Sequence, residues 1–145
     1  MNALPALLCS TLLLAALPVH AQPVCTDPVD PSGVHLQQQQ QNGIAYLSGG
    51  IGIDESCAIQ QTHGYNLRLT FSVGTDNKYD SGAKVSIRTA QGKELLSLDD
   101  VGPVLLVQLP AGKYVVVAQL NGHEWRNNFD VKNNKTLALN AHWGS

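Results

Sequence analysis

Two adjacent acids, Asp54 and Glu55, are the residues of this chain whose types and spacing are best suited to chemistry. They follow a glycine-rich stretch at residues 49–53 that would let the backbone approach a ligand closely. Carboxylates in such a place could transfer protons or bind a cation. The alternative is structural, since glycines permit tight turns and acids stabilise the first turn of a helix. We favour the structural interpretation and retain both acids as candidate ligand residues.

Four histidines beyond residue 21 are further candidates, namely His35, His63, His123 and His142. No two of them are spaced two or four residues apart, so the sequence holds no local metal clamp. A hydrolase would require folding to bring one of the last three beside Asp54 and Glu55. A metal site would require at least three of these histidines and acids to converge. The sequence alone predicts no metal and no other cofactor.

Other motifs that could carry chemistry are incomplete. Asp76 and Asp80 lie in a polar loop, but Lys78 and Ile87 stand where a calcium loop of the EF-hand type needs oxygen ligands. No serine lies in a Gly-x-Ser-x-Gly motif, and no βαβ unit surrounds the glycines before Asp54. We therefore expect a protein that is not an enzyme.

The charges of the chain argue against a nucleic-acid partner. Its 145 residues carry 9 basic and 11 acidic side chains, with a formal net charge of −2. The basic residues are spread between residues 68 and 135 without a cluster. This distribution lacks the electrostatic footprint of a surface that binds nucleic acid or an anionic membrane.

Residues 1–21 have the features of a cleavable secretory signal. An apolar run at residues 4–17 is followed by a helix-breaking proline and by Val19 and Ala21, small residues placed as a cleavage site before Gln22 requires. Basic residues, which usually precede the apolar run, are absent. The run is too short for a membrane span of about 20 residues. We therefore expect a periplasmic or secreted protein with no membrane span after cleavage.

The chain that remains after cleavage contains two cysteines, Cys25 and Cys57. In an oxidising compartment such a pair is most simply one disulfide, which would fasten the N-terminal arm to the rest of the protein. Two free thiols acting as ligands or as a nucleophile are the alternative, although neither cysteine belongs to a Cys-x-x-Cys or zinc-site spacing.

Composition divides the mature chain into an arm at residues 22–42 and a domain at residues 43–145. The arm is rich in proline and contains a run of glutamines at residues 37–41 with nothing apolar to bury. It is predicted to be a disordered or partly helical linker. Within the domain, residues 54–61 are predicted to form a short helical turn.

Alternating hydrophobicity in the domain predicts strands rather than helices. Residues 65–73 and 83–88 alternate apolar and polar side chains as half-buried strands do, and residues 104–109 form an apolar run typical of a fully buried strand. The pair Asn121-Gly122 is a strong hairpin signal. About seven or eight short strands separated by turns predict an all-β sandwich or barrel.

Residues 109–118 read Leu-Pro-Ala-Gly-Lys-Tyr-Val-Val-Val-Ala and are followed by a hairpin and another strand. This run resembles the carboxypeptidase regulatory-like domains, which are transthyretin-like (prealbumin-like) sandwiches, and the likeness extends over residues 65–131. It implies an antiparallel Greek-key sandwich of about seven or eight strands, prealbumin-like or immunoglobulin-like, with one short helical turn. It also implies a non-catalytic module, as in small exported proteobacterial proteins of this kind.

Beside this resemblance, the residues themselves predict a structural corner. Pro110 and Gly112 indicate a tight turn at the entry to a strand, and Tyr114 is expected to be a corner tyrosine. Its ring would point inward while its hydroxyl bonds the backbone of the turn.

One enzyme family shares the prealbumin fold, the 5-hydroxyisourate hydrolases, whose chains end in Tyr-Arg-Gly-Ser. This chain ends in His-Trp-Gly-Ser, so Trp143 stands in place of the anion-binding arginine. That activity is therefore not expected.

Together these features predict an exported, non-catalytic β-sandwich module that binds a protein or a component of the cell envelope. Exposed sheet edges could pair with a partner strand, or the glutamine-rich arm could act as a tether. The alternative is a small periplasmic hydrolase or metal-binding protein that uses Asp54, Glu55 and a histidine. A concave pocket that gathers those groups would favour the alternative.

Overall fold

The structure is a computed structural model in which residues 25–144 are described. The predicted signal segment, residues 1–21, lies outside the described residues. The described chain contains one 3-10 turn (Pro31–Gly33), one helix and ten strands: β1 (Gln39–Gln41), β2 (Ile44–Gly49), α1 (Ile53–Gln60), β3 (Leu67–Val73), β4 (Lys78–Tyr79), β5 (Ala83–Thr89), β6 (Glu94–Val101), β7 (Val104–Val107), β8 (Gly112–Leu120), β9 (His123–Val131) and β10 (Leu137–Trp143). No helix among these residues is long and apolar enough to cross a bilayer.

The strands form two separate sheets. A six-stranded sheet has the order β1-β2-β7-β3-β10, and β4 pairs with the end of β3. A four-stranded sheet has the order β6-β5-β8-β9. Pairing is antiparallel except between β10 and β3, which run parallel. The expectation of a mostly β protein is therefore confirmed, and because the sheets are separate the fold is not a closed barrel.

The main hydrophobic core joins the two sheets. Leu67, Leu69 and Phe71 of β3 are fully buried, and they belong to the same cluster as Val85 of β5 and Val116 of β8. The named residues of β3 and β5 alternate with polar ones in sequence, whereas Val116 lies between two partly buried valines. In each strand every second side chain therefore faces the core. Burial of each such side chain contributes about 1.5–3 kcal/mol, which makes this cluster the main source of stability.

A second, smaller core covers the outer face of the six-stranded sheet. Ile59 of α1 is fully buried against Leu47, Val104 and Leu106. Strand β7 is therefore covered on both faces, and all of its residues are buried. This confirms the fully buried strand that the unbroken apolar run predicted.

The glutamine run is ordered, and the prediction of a disordered or partly helical linker is wrong at residues 39–41. Strand β1 pairs with β2 in antiparallel register. The Gln41 side chain accepts a bond from the Ser97 backbone N–H at 2.6 Å and donates one to the Ser97 carbonyl at 3.2 Å. The hydroxyls of Tyr46 and Tyr65 donate to Gln39 and Gln38. A glutamine amide can donate and accept such hydrogen bonds without burying apolar surface. The prediction considered only the lack of apolar side chains in the run.

The number of strands also differs from the prediction. The polar loop that contains Asp76 and Asp80 includes the short strand β4. With β1 and β4 the count rises to ten strands in the described chain. The predicted hairpin is confirmed, since Asn121 and Gly122 both have positive φ, 50° and 80°, between β8 and β9.

Candidate functional site

The loop between β2 and α1 is shaped by its glycines. Gly50 and Gly52 have φ of 98° and 83°, a backbone conformation that residues with a side chain rarely adopt. The Ser56 hydroxyl donates to the Gly50 carbonyl at 3.2 Å and ties the loop to the helix. The loop therefore turns sharply from the sheet into α1 and exposes the residues between its glycines.

The two candidate acids bind backbone amides. Glu55 is buried, and its Oε1 accepts a hydrogen bond from Gly50 N at 2.9 Å while its Oε2 accepts one from His35 N at 3.1 Å. Asp54 Oδ1 accepts a bond from Asp30 N at 2.8 Å. Both acids lie in the first helical turn, as expected, but the amides that they bind belong to the arm and the preceding loop. Their carboxylates fasten the arm to α1.

Asp30 also stabilises the arm through its own side chain. Its carboxylate accepts bonds from the Ser32 backbone N–H at 2.9 Å and from the Ser32 hydroxyl at 2.8 Å, which caps the 3-10 turn. Both bonds lower the pKa of Asp30 below its ordinary value of 3.8, and the bond from the backbone N–H has the larger effect.

The predicted cysteine pair also joins the arm to the helix. Cys25 and Cys57 lie at disulfide-bonding distance, with their Cα atoms 5.6 Å apart. Cys57 is buried in α1, so the link ties the arm to a buried position of the helix. Together with Asp54 and Glu55, this pair holds residues 25–35 on the surface of the helix.

The open side of the glycine loop borders a groove of about 760 Å³. We call it the isoleucine groove. Ile51 and Ile53 line it and are 65% and 60% exposed, and no other large hydrophobic side chain in the described chain is exposed. Tyr79, Asp80 and other residues of the β4 region form the opposite wall. A groove of this volume lies within the range of ligand and peptide sites.

The two acids of the polar loop that was compared with a calcium loop, Asp76 and Asp80, line this opposite wall. Asp76, Lys78 and Asp80 all border the groove, and the Asp80 carboxylate accepts a bond from the neighbouring Ser81 N–H at 2.8 Å. Within residues 25–144, no group of three or more histidine, cysteine or acidic residues is arranged to hold a metal ion. The wall supplies a polar rim to an apolar groove.

The structure does not bring Asp54 and Glu55 together with the three candidate histidines. His63 lines a cavity beside the end of α1, while His123 and His142 line another near the end of β10. Neither acid lines either cavity. The arrangement that the hydrolase hypothesis requires is absent from the described part of the chain.

Sequence reasoning missed one serine–histidine pair. Ser72 Oγ and His142 Nδ1 are 2.9 Å apart, because the parallel pairing of β3 and β10 places these residues in register. The Ser72 hydroxyl also lies 3.2 Å from Asn140 Oδ1, and Ser72 is only 1% exposed. A hydroxyl so inaccessible suits a structural bond better than nucleophilic attack. Only the strand register, which the sequence does not carry, could have revealed the pair.

The predicted corner has the expected geometry. Tyr114 is buried, its ring stacks on Phe129 with centroids 5.6 Å apart, and its hydroxyl donates to the Pro110 carbonyl at 2.7 Å. A side chain at Gly112 would approach the Tyr114 hydroxyl to 3.3 Å, so glycine leaves room for this bond. Burial raises the pKa of Tyr114 above its ordinary value.

No protein-family model matches this chain, and no curated protein matches it either. The fold and the site therefore define its class: a mostly β protein of two sheets, with an arm fastened to its one described helix and an apolar groove beside that helix.

Proposed function

We propose that this protein is a non-catalytic, exported β-sandwich module that binds an extended segment of a protein partner in the isoleucine groove. The observation that carries the proposal is the position of Ile51 and Ile53. Both are more than half exposed, at 65% and 60%, and both border the same groove. Large apolar side chains clustered in this way are characteristic of interaction sites.

The energetics favour binding at this place. Covering each isoleucine would contribute up to about 1.5–3 kcal/mol. The loop that carries them is held by Glu55 and by the Ser56 hydroxyl, so little conformational entropy is lost when a partner docks. Lys78 and Asp80 at the opposite wall supply charged groups for a polar rim, which is the usual anatomy of a protein interface.

The proposal includes a Greek-key sandwich related to the carboxypeptidase regulatory-like, transthyretin-like domains. Strand β7 lies beside β3 after β5 and β6 have been placed in the other sheet, and this return of the chain beside an earlier strand supports a Greek-key connection. The bond from Tyr114 to Pro110 supports the same relationship, since a corner tyrosine is typical of Greek-key sandwiches.

Export and the absence of catalysis rest on separate observations. The bonding distance between Cys25 and Cys57 fits an oxidising compartment, as does the signal-like composition of residues 1–21. The acids that could have served chemistry, Asp54 and Glu55, bind backbone amides instead. These observations support a periplasmic or secreted binding module.

The test is a crosslinking pull-down of the mature protein from the intact envelope of its host, read by quantitative mass spectrometry. The double variant Ile51→Ser/Ile53→Ser removes the apolar wall of the groove. Val115→Ser, on a half-buried position of the four-stranded sheet, is the matched control. We expect one stoichiometric partner with the wild type and the control, and a loss of about tenfold or more with the double variant.

Two results would count against the proposal. Equal recovery by the double variant would show that the partner binds elsewhere. No partner above background with the wild type would remove the binding-module hypothesis itself. Because both isoleucines are exposed, the double variant should keep its unfolding free energy within about 0.5 kcal/mol per substitution, and denaturation curves check this.

A further inference from the structure

The sequence contains two Asn-Gly pairs, Asn42-Gly43 and Asn121-Gly122, and each forms the tip of a hairpin. The first pair is the loop between the antiparallel strands β1 and β2, and the second is the loop between β8 and β9. The asparagines have φ of 52° and 50°, and the glycines have φ of 77° and 80°. The two tips are therefore alike in length and in backbone φ, as this dipeptide favours.

An asparagine followed by glycine can react with its own backbone, because glycine has no Cβ to hinder its nitrogen. That nitrogen bonds to the asparagine Cγ, and its proton leaves with the side-chain nitrogen as ammonia, which forms a cyclic succinimide. Water then opens the ring at either carbonyl and yields aspartate or isoaspartate. Ring closure requires the asparagine backbone to leave the conformation of the turn, so the rate depends on how easily each tip opens.

The tip at Asn42 is held against the other sheet. Asn42 Nδ2 donates to the Leu95 carbonyl of β6 at 3.1 Å. The neighbouring Gln41 side chain makes two further bonds, to the backbone of Ser97, at 2.6 and 3.2 Å. Opening of this tip therefore requires the loss of side-chain hydrogen bonds from both residues.

The tip at Asn121 has no such attachment. Asn121 and Gly122 are exposed, and within the described chain the Asn121 side chain has no hydrogen-bond partner. The glycines do not distinguish the two tips, since a Cβ on either Gly43 or Gly122 would meet no atom within 4 Å. The difference lies in the side chains that fasten one tip and leave the other free.

We propose that Asn121 is a site of spontaneous deamidation in the folded protein and that Asn42, in the same dipeptide, is protected by the bonds to β6. Neither residue lines the isoleucine groove, so this modification is independent of the proposed partner.

The products at Asn121 carry one more negative charge than asparagine. Isoaspartate also lengthens the main chain by one methylene, so the loop no longer fits the pairing of Leu120 with His123. The His123 carbonyl accepts a bond from Trp143 Nε1 at 3.1 Å, and the change therefore extends to the contact between β9 and β10.

The experiment is incubation of the mature protein in a mildly alkaline buffer, followed by proteolysis and electron-transfer mass spectrometry, which distinguishes isoaspartate from aspartate. We expect conversion at Asn121 to be about tenfold or more faster than at Asn42. In urea, where both turns are lost, the two rates should become similar. No product at Asn121, or similar rates at the two sites in the folded protein, would overturn the proposal.

Two variants test the assigned protection. Gln41→Ala removes the bonds to Ser97 and should accelerate conversion of Asn42 about threefold or more, while Asn121 reacts as before. Gln40→Ala, which changes the exposed neighbour in β1, is the matched control and should leave both rates unchanged. An unchanged rate at Asn42 in the first variant would show that these bonds do not protect it.

A third variant, Asn121→Gly, removes the reactive amide and leaves a Gly-Gly pair, which suits the same type of hairpin turn. Its melting temperature checks that the fold is kept. The acidic species that accumulates in the wild type should be absent from this variant and present in Asn42→Gly. The reverse result would overturn the assignment to Asn121.

Discussion

The carboxylate of Glu55 accepts a hydrogen bond from the backbone amide of His35 at 3.1 Å, across 20 positions of sequence. Its other oxygen accepts one from Gly50 at 2.9 Å. One buried side chain of α1 therefore holds both the arm and the loop that presents Ile51 and Ile53. The acid that sequence analysis considered for chemistry instead sets the shape of the groove.

Glu55→Ala should lower the free energy of unfolding by about 2–3 kcal/mol, because two backbone amides lose a buried charged acceptor. Urea denaturation of the two proteins measures the difference. The matched control is Glu94→Ala, whose carboxylate pairs with Arg88 on the surface and should cost no more than about 1 kcal/mol. Equal losses in the two variants would contradict the structural role assigned to Glu55.

Reduction of the Cys25–Cys57 link should lower the free energy of unfolding by about 3–4 kcal/mol, since it releases a closed loop from the unfolded chain. The sequence separation of the two cysteines, 32 residues, sets this magnitude. Denaturation with and without a thiol reductant measures it, and Cys25→Ser, which cannot form the link, is the control for the reagent. Two free thiols in the untreated, denatured mature protein would show that the link does not form.

Gln41→Ala should lower the free energy of unfolding by about 1–2 kcal/mol, because both of its side-chain bonds to Ser97 are lost. Gln40→Ala changes the exposed neighbour in the same strand and is the matched control. Amide hydrogen exchange should accelerate in β1 of the first variant only. Equal exchange in both variants would mean that backbone pairing alone orders the glutamine run.

Tyr114→Phe should lower the free energy of unfolding by about 1–2 kcal/mol at neutral pH, because the Pro110 carbonyl loses its donor. The folded-state pKa of Tyr114 is raised above its ordinary value of 10.0. The associated stability is therefore present below pH 10.0 and is lost as the pH rises through the folded pKa. Denaturation curves above and below that pH should show a shallower alkaline loss in the variant. An unchanged slope would contradict this assignment.

Local pattern was enough to predict much of the fold. Leu67, Leu69 and Phe71 alternate with polar residues, and the structure buries them on one face of β3. The apolar run at β7 is buried on both faces, and the hairpin forms at Asn121-Gly122. In each case the information lies in neighbouring residues, because side-chain periodicity and turn conformation are properties of a short segment.

Composition and local periodicity were therefore enough to predict a mostly β chain with one short helix and a cysteine pair able to join the arm to it. The bonds from His35 to Glu55 and from Ser97 to Gln41, and the contact of Ser72 with His142, arise only when the chain has folded. The same is true of the groove that Ile51 and Ile53 border. Each of these relationships depends on strand register or on a polar partner distant in sequence, which no local periodicity encodes.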